Sequence, residues 1–156
     1  MIKNNVTRLL SSRKIPFTAY DLPKKKVGAL ETASILDVDP NIVFKTIVIK
    51  QPDRRKPILA VIPSTAEADL KLIAALYKVK KVTIPTQREA ESITRLQAGG
   101  ISPLALLNLG FEVVLDISAL EHEHIHISGG QIGLNIKLPV TALIDLTQSK
   151  TALISK

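Results

Sequence analysis

The stretch Val43-Phe44-Lys45-Thr46-Ile47-Val48-Ile49 decides the fold of this chain. Its residues are mostly β-branched and apolar on both alternating faces, and this composition predicts a central strand that is covered on both sides. A second apolar run, Ile58-Leu59-Ala60-Val61-Ile62, follows a polar loop from Pro52 to Pro57. A short loop between two strand-like runs predicts an antiparallel hairpin. The remaining elements are therefore expected to pack around this pair of strands.

Helices are predicted before and after the hairpin. Asn4 or Asn5 can cap the first helix with its side-chain oxygen. The spacing of Ser64 to Glu67 and that of Thr86 to Glu89 both fit a capping box. Pro139 suits the first turn of a last helix, because its missing N–H has no partner to lose there. Helices are expected over about residues 4–12, 29–36, 64–77, 86–97 and 139–146.

Shorter strands complete the predicted sheet. They are expected over residues 15–20, 79–84, 113–117, 124–127 and 134–138, bounded by turn-forming residues. Pro16 cannot donate a ladder hydrogen bond, so the first of these strands is expected at a sheet edge. The residues after the last helix are expected to be peripheral. Neither an internal repeat nor a linker interrupts the chain, and the sequence therefore predicts one mixed α/β domain over residues 1–156.

Composition narrows the classes of function. The 156 residues include no cysteine, which excludes disulfides, zinc–thiolate sites and a protein thiol nucleophile. A net charge of +7 favours an anionic partner such as RNA, whereas an aromatic content of 3% argues against a stacking platform for single strands. No apolar signal segment opens the chain and no run is long enough to cross a membrane, so a cytoplasmic protein is expected.

Lys45 stands among branched aliphatic residues. With the two-residue period of a strand it shares a face with Val43 and Ile47, while Thr46 points to the other face. A lysine is rarely buried without a partner. Its ammonium can reach water along an extended stem, pair with a carboxylate, or point into a polar cleft that receives an anionic or carbonyl-bearing ligand. The pattern leaves these three interpretations open, and Thr46 by itself is typical of a strand former.

Two glycine-rich bends are candidates for main-chain recognition. Gly99-Gly100-Ile101-Ser102-Pro103-Leu104 combines two flexible positions with a proline that fixes the downstream end. Its N–H groups could bind a carbonyl or phosphate oxygen, or the loop could be an ordinary connector. Ser128-Gly129-Gly130 forms a second bend. Neither has the spacing of a P-loop or a dinucleotide fingerprint, so nucleotide hydrolysis and Rossmann redox chemistry are disfavoured.

Three alternating histidines are the only candidate metal ligands that the pattern offers. His122, His124 and His126 would lie on one side of an extended segment, where two of them could chelate zinc with a third ligand from elsewhere. The same alternation, with Glu121 and Glu123 between them, fits a solvated strand face. No His-Glu-x-x-His helix accompanies them. A metal-dependent hydrolase is therefore kept as an alternative hypothesis, while the main hypothesis has no metal.

Three motifs in order resemble a known family. A short helix ending in Asp39-Pro40 leads to Val43-Phe44-Lys45-Thr46, followed by the Gly99–Leu104 loop and then by Ile127-Ser128-Gly129-Gly130-Gln131-Ile132-Gly133-Leu134. This order resembles the YbaK/EbsC family, whose domain is also the editing insertion of bacterial prolyl-tRNA synthetases. The resemblance covers nearly the whole chain. It implies a mixed α/β fold with a partly open, β-barrel-like sheet flanked by helices.

The resemblance also implies a free-standing editing factor that hydrolyses mischarged aminoacyl-tRNA. Catalysis would fall to Lys45 and to the main chain of Gly99, Gly100 and Ile101, with a positioned water or the substrate's own thiol as nucleophile and with no cofactor. Asn135 stands where the family often has an acidic or small residue, and Thr94-Arg95-Leu96 stands where Thr-Gly-Tyr is common. The residues implied in substrate binding are Tyr20, Thr46, Ser102, Pro103, Ser128, Gly129, Gly130 and Asn135.

The expected partner is aminoacylated tRNA. Lys24, Lys25 and Lys26, together with Arg54, Arg55 and Lys56, would contact its phosphates. The resemblance implies Cys- or Ala-charged tRNA-Pro as substrate, with a prolyl-tRNA synthetase as a candidate partner and no membrane contact. The alternative from another class of function is a non-catalytic module that binds tRNA or a synthetase, which the departures at Arg95, Leu96 and Asn135 motivate.

Overall fold

The computed structural model describes residues 2–156 and confirms the mixed α/β fold predicted from the sequence. Within that range no helix is long and apolar enough to span a bilayer. Three short 3₁₀ helices cover Pro40–Ile42, Pro103–Leu109 and Ile117–Glu121. The α-helices are α1 (Asn5–Ser12), α2 (Ala29–Leu36), α3 (Leu70–Leu76), α4 (Gln87–Thr94) and α5 (Val140–Thr147). The strands are β1 (Thr18–Asp21), β2 (Phe44–Ile49), β3 (Ile58–Pro63), β4 (Glu112–Asp116), β5 (His124–Ser128), β6 (Leu134–Pro139) and β7 (Lys150–Ala152).

The predicted hairpin is present, but its first strand lies at a sheet edge. Strands β2 and β3 pair antiparallel, from Phe44 opposite Pro63 to Ile49 opposite Ile58. The sheet order is β2-β3-β4-β7, with β4 and β7 both parallel to their neighbours. The prediction that β2 is central is therefore wrong, and β3 is the strand buried along its whole length. The two faces of β2 are apolar because helices cover them from above and below. Neighbouring strands pair along the edges of β2 and do not contact these faces, so apolar faces do not show whether a strand is central.

The second sheet has the order β1-β6-β5 and is antiparallel throughout. Strand β1 is an edge strand, as Pro16 predicted, although it begins only at Thr18. An isolated bridge between Val43 and His126 joins the two sheets at the start of β2. Beyond this bridge the three-stranded and four-stranded sheets do not pair with each other in the described part of the chain. This separation fits the partly open arrangement that the resemblance implied.

Helices cover both faces of the four-stranded sheet. On one face, α3 places Ile73 in a cluster with Ile49 and Ile62. On the other face, Leu106 of the 3₁₀ helix packs with Val48, and α4 lies against this cluster. Because β2 alternates between the two clusters, successive side chains of this strand enter opposite sides of the molecule. This alternation decides where Lys45 and Thr46 project.

Three sequence predictions of local structure are wrong. Helix α3 begins at Leu70 with Asp69 as its cap, because the Glu67 N–H, which a capping box would direct to Ser64, donates to the Lys156 carbonyl instead. Residues 79–84 do not form a strand and contribute only a bridge from Thr83 to Lys50. The C-terminal residues are not peripheral, because β7 completes the sheet and Ile154 is fully buried.

Candidate active site

A cleft of about 340 Å³ lies along the free edge of β2. Its walls come from separate parts of the chain: the segment 22–29, the first glycine-rich loop, the turn between β5 and β6, and the start of α4. Of the residues that the sequence singled out, the cleft is lined by Lys25, Lys26, Lys45, Thr46, Gly99, Ile101, Ser128 and Asn135. The fold therefore brings Lys45 and both glycine-rich bends to one place.

The hydrogen bonding of β2 explains why the cleft forms there. The Ser64 N–H donates to the Val43 oxygen at 2.8 Å, so Val43 directs its carbonyl toward β3. Main-chain groups of an antiparallel ladder alternate in direction, and those of Thr46 consequently point away from β3. At the far end, Lys50 exchanges hydrogen bonds with Thr83 at 2.8 and 3.1 Å on that same outer side. Between this bridge and the one at Val43, the outer edge of β2 faces the cleft.

Lys45 and Thr46 reach the cleft from opposite faces of the sheet. Lys45 shares a face with Ile47, which packs toward α3, and Thr46 shares a face with Val48, which packs toward α4. Both line the cleft because it straddles the strand edge. The Lys45 ammonium lies 3.5 Å from the carbonyl oxygen of Ser64, and no carboxylate of residues 2–156 pairs with it. The carboxylate-pairing interpretation is thereby removed, and the polar-cleft interpretation fits the geometry.

Alternate residues of the first glycine-rich loop line the cleft. Gly99 and Ile101 line it, whereas the Gly100 N–H donates to the Gln97 carbonyl at 2.8 Å. Within residues 2–156 the N–H groups of Gly99 and Ile101 have no such acceptor. Ser102 is fully buried and its hydroxyl accepts from the Leu104 N–H at 3.3 Å, which caps the 3₁₀ helix that begins with Pro103. Ser102 and Pro103 therefore shape the loop without lining the cleft.

The two glycine-rich bends are packed against each other. A Cβ atom on Gly100 would lie 2.9 Å from the Cα of Gln131, so the main chains approach too closely for any side chain. The Ser128 hydroxyl donates to the Gly99 carbonyl and accepts from the Gly130 N–H, both at 3.3 Å. Gly129 and Gly130 are similarly enclosed, by Leu134 and by Val6, and do not line the cleft.

A buried polar pair supports the cleft floor. Asn135 is 4% exposed and lines the cleft, while His126 is 1% exposed and lies behind it. The His126 Nδ1 lies 2.9 Å from the Asn135 Oδ1. Burial lowers the pKa of His126; the hydrogen bond to the Asn135 side chain opposes this shift, and the charge of Lys137 adds to it. Tyr20 does not line the cleft but packs its ring on His126, with 5.5 Å between ring centroids.

The two basic segments lie at different places. Lys25 and Lys26 line the cleft mouth, and the Lys26 ammonium donates to the Gln87 side chain at the start of α4. Lys24 lies nearby, with its Cα 3.8 Å from where a Cβ on Gly133 would stand. The basic hairpin loop, which holds Arg54, Arg55 and Lys56, does not reach the cleft. Arg55 and Lys56 instead line a separate hollow with Tyr77, Lys78, Glu112 and Lys150.

The three histidines do not form a metal site. His126 is buried and engaged with Asn135, whereas His122 and His124 are half-buried. Across residues 2–156 no group of three or more His, Asp or Glu side chains could hold a metal ion. The metal-ligand hypothesis for these residues is therefore wrong. The sequence also missed the partnership of His126 with Asn135, for which the only local signal was a histidine alternating with buried isoleucines.

Comparisons with known proteins agree on the family. A sequence model of the aminoacyl-tRNA editing domain matches residues 24–146. EbsC of Enterococcus faecalis, whose name proposes a Cys-tRNA(Pro)/Cys-tRNA(Cys) deacylase, is 30% identical over 152 residues, covering 96% of this chain and 92% of that protein.

Two solved structures share the fold. The hypothetical protein APE2540 superposes with a TM-score of 0.89 at 20% identity, covering 98% of this chain and 100% of that one. A proposed trans-editing enzyme for prolyl-tRNA synthetase superposes with a TM-score of 0.81 at 18% identity, covering 100% and 99%. Since the family model spans most of the chain and EbsC matches nearly all of it, the chain belongs to the family of aminoacyl-tRNA editing domains.

Proposed function

We propose that the whole chain, residues 1–156, acts as one free-standing editing domain that deacylates mischarged aminoacyl-tRNA in the cytoplasm. Membership of the editing family makes it an aminoacyl-tRNA deacylase. The observation that supports the finer proposal is that Lys45, Gly99 and Ile101 line one cleft, and that the N–H groups of Gly99 and Ile101 have no main-chain acceptor within residues 2–156. A cation and two main-chain donors are the groups that an ester carbonyl needs as it gains negative charge.

The reaction needs little from the protein besides orientation and charge stabilisation. A water molecule attacks the ester carbonyl, forming a C–O bond while the carbonyl oxygen becomes an oxyanion. The N–H groups of Gly99 and Ile101 would stabilise that oxyanion, and Lys45 would bind it or the terminal ribose-phosphate. Collapse of the intermediate breaks the bond to the ribose oxygen, which takes up the proton that the attacking water loses, and releases free amino acid and tRNA. A thiol on the aminoacyl side chain could attack the carbonyl in place of water; the bond to the ribose oxygen would then break, that oxygen would take up the thiol proton, and a cyclic thioester would be released with free tRNA.

Cys- or Ala-charged tRNA-Pro is the substrate that we propose. One support is the name of EbsC, which proposes cysteinyl-tRNA as its substrate. Small residues such as Gly99 and Ala98 form part of the wall, which favours small aminoacyl groups over bulky ones.

The tRNA would approach from the side of the cleft mouth. Lys25 and Lys26 line that mouth, so they are placed to neutralise phosphates close to the aminoacylated end. Arg54, Arg55 and Lys56 lie outside the cleft and would contact phosphates further along the acceptor arm. A prolyl-tRNA synthetase that delivers the substrate remains a prediction of the family resemblance.

A deacylation panel tests the proposal. Purified protein is mixed with tRNA-Pro charged with Cys, Ala or Pro, and separately with Cys and Ala on their own cognate tRNAs. Loss of the aminoacyl ester is followed over time and compared with the uncatalysed rate. We expect cleavage of one of the small mischarged substrates well above background. Folded protein that cleaves none of them would refute the enzyme. In that case tRNA binding with a steep salt dependence would support the non-catalytic binding module.

A further inference from the structure

The pair His126–Asn135 is the only hydrogen bond within residues 2–156 that joins two buried side chains. Both side chains are nearly inaccessible, with exposures of 1% and 4%. They come from neighbouring strands, and the register of β5 and β6 sets Asn135 opposite Ser128 and His126 opposite Lys137. A polar pair in an otherwise apolar region costs desolvation free energy, so its orientation is tightly constrained.

Chemistry fixes which atom donates in this pair. The Asn135 Oδ1 has lone pairs and no hydrogen, so the His126 Nδ1 that faces it at 2.9 Å must carry the proton. Tyr20 packs against the imidazole, and Lys137 contributes a positive charge from the adjacent strand, which disfavours the imidazolium form. A neutral imidazole with its hydrogen on Nδ1 meets both requirements.

This orientation leaves the amide hydrogens of Asn135 free to donate. Its oxygen already accepts from His126, whereas the Nδ2 hydrogens can be offered to the cleft that Asn135 lines. No acceptor for Nδ2 is present among the side chains and main chain of residues 2–156. Ser128, opposite Asn135, contacts Gly99, so the donor lies beside the loop that we assign to the ester carbonyl.

We infer that Asn135 donates a hydrogen bond to an acceptor atom of the aminoacyl group, and that His126 is the positioning residue that keeps Asn135 in this donor orientation. The inference rests on the proposed deacylase function and deepens it. An α-ammonium group has no lone pair and cannot accept from Asn135. The acceptor is therefore the ester carbonyl oxygen or an oxygen or sulfur atom of the aminoacyl side chain.

Nitrogen-15 NMR of the free protein tests the positioning role without substrate. We expect the His126 resonances of the Nδ1–H tautomer in the wild type and a shift toward the Nε2–H tautomer in Asn135→Ala. The Nε2–H tautomer in the wild type would overturn the inference, because Asn135 would then donate to His126 and offer its oxygen to the cleft.

Binding of a stable analogue tests the ligand contact without turnover. The probe is an alanyl-adenosine in which an amide replaces the ester, with a seryl version alongside. We expect His126→Phe, which retains an aromatic ring against Tyr20, and Asn135→Ala each to weaken binding about tenfold, with the double variant no weaker than either single one. His124→Phe, on the same strand but outside the pair, is the matched control and should bind like the wild type.

The two probes distinguish the acceptors. Equal losses for both probes assign the bond to the carbonyl, whereas a loss confined to the seryl probe assigns it to the side chain. Binding unchanged in Asn135→Ala, or additive losses in the double variant, would overturn the inference. Failure of the proposed function is separate, because it would appear as wild-type protein that binds the probes but hydrolyses no charged tRNA.

Discussion

The hydroxyl of Ser128 donates to the carbonyl oxygen of Gly99 at 3.3 Å, joining the end of β5 to a loop that lies 29 residues earlier in the chain. The same hydroxyl accepts from the Gly130 N–H, so one side chain holds both glycine-rich bends. In the proposed site the Gly99 main chain binds the ester carbonyl, which makes the Ser128 contact a determinant of where that donor stands.

Replacing Ser128 by alanine is expected to lower deacylation more than stability. Loss of two weak hydrogen bonds should reduce the free energy of unfolding by about 1 kcal/mol. A shift of the Gly99 loop should lower kcat/KM by roughly tenfold, because the oxyanion donors would be misplaced. Ser12→Ala is the control, since that hydroxyl bonds only to Leu9 of its own helix. An unchanged kcat/KM in Ser128→Ala would mean that the loop is positioned by packing alone.

Gly100→Ala should damage activity more than Ser102→Ala. The new Cβ would stand 2.9 Å from Gln131 Cα and 3.0 Å from its carbonyl carbon, and a main chain cannot turn aside as a flexible side chain can. The two bends would be forced apart. Ser102→Ala only removes a cap from a 3₁₀ helix. Gly28 lines the same cleft and has nothing within 4 Å of an added Cβ, so Gly28→Ala is the matched control. Kinetics of the three variants decide the order, and the reverse order would contradict the main-chain role.

Elements bounded by local signals are predictable from the sequence. Helix α2 has its predicted bounds because Gly28 precedes it and Asp37 ends it in a left-handed conformation. The position of β2 in its sheet is not predictable, because apolar faces report covering helices and carry no information on lateral neighbours. Ser64 fails as a cap because a distant carbonyl, that of Lys156, accepts from the Glu67 N–H that the cap would need.

The residues of the candidate site also divide into those that the sequence predicts and those that only the structure reveals. Lys45 and the Gly99 loop stand out in the sequence because an isolated lysine in a strand and a glycine pair before a proline are local anomalies. The His126–Asn135 pair depends on the register of β5 with β6, which no local pattern encodes. Residues that build loops and residues that line the cleft also look alike in sequence, and only the structure separates Ser102 from Gly99.

Lys45→Met should abolish most activity while leaving the protein folded. The methionine keeps an apolar stem on the α3 face, and the substitution removes only the long 3.5 Å approach of the ammonium to the Ser64 oxygen. Without a cation at the developing oxyanion or at the ribose-phosphate, kcat/KM should fall by about 100-fold. Lys50→Met removes a lysine outside the cleft and should leave turnover unchanged. Circular dichroism and thermal melting check folding, and near-wild-type turnover would remove Lys45 from the mechanism.

Lys25→Gln is expected to weaken tRNA binding and to reduce its salt dependence. Each lysine that neutralises a phosphate contributes about one unit to the slope of log K against log salt concentration. Lys25 lines the cleft mouth, so its loss should reduce that slope by about one. Lys71→Gln, an exposed charge on α3, is the control for net charge. Equal slopes for the wild type and Lys25→Gln would place the tRNA elsewhere on the surface.

Stability should fall in mild acid through His126. Burial lowers the pKa of this imidazole in the folded protein, with Lys137 acting in the same direction and the Asn135 hydrogen bond opposing it. In the unfolded chain the group titrates near pH 6.5. Below that pH the unfolded state binds more protons than the folded state, so the free energy of unfolding decreases as the pH falls from 6.5 toward the lower folded pKa.

His126→Phe lacks this titration, which gives the measurement its control. Urea unfolding at about pH 7.5 and about pH 5.5 should show a larger loss of stability in the wild type than in His126→Phe, because all other ionisable groups are common to both. His122 and His124 remain in both proteins, so they cancel in the comparison. Equal losses in the two proteins would show that the imidazole is protonated as easily in the folded state as in the unfolded chain, which is incompatible with a neutral His126 held behind Asn135.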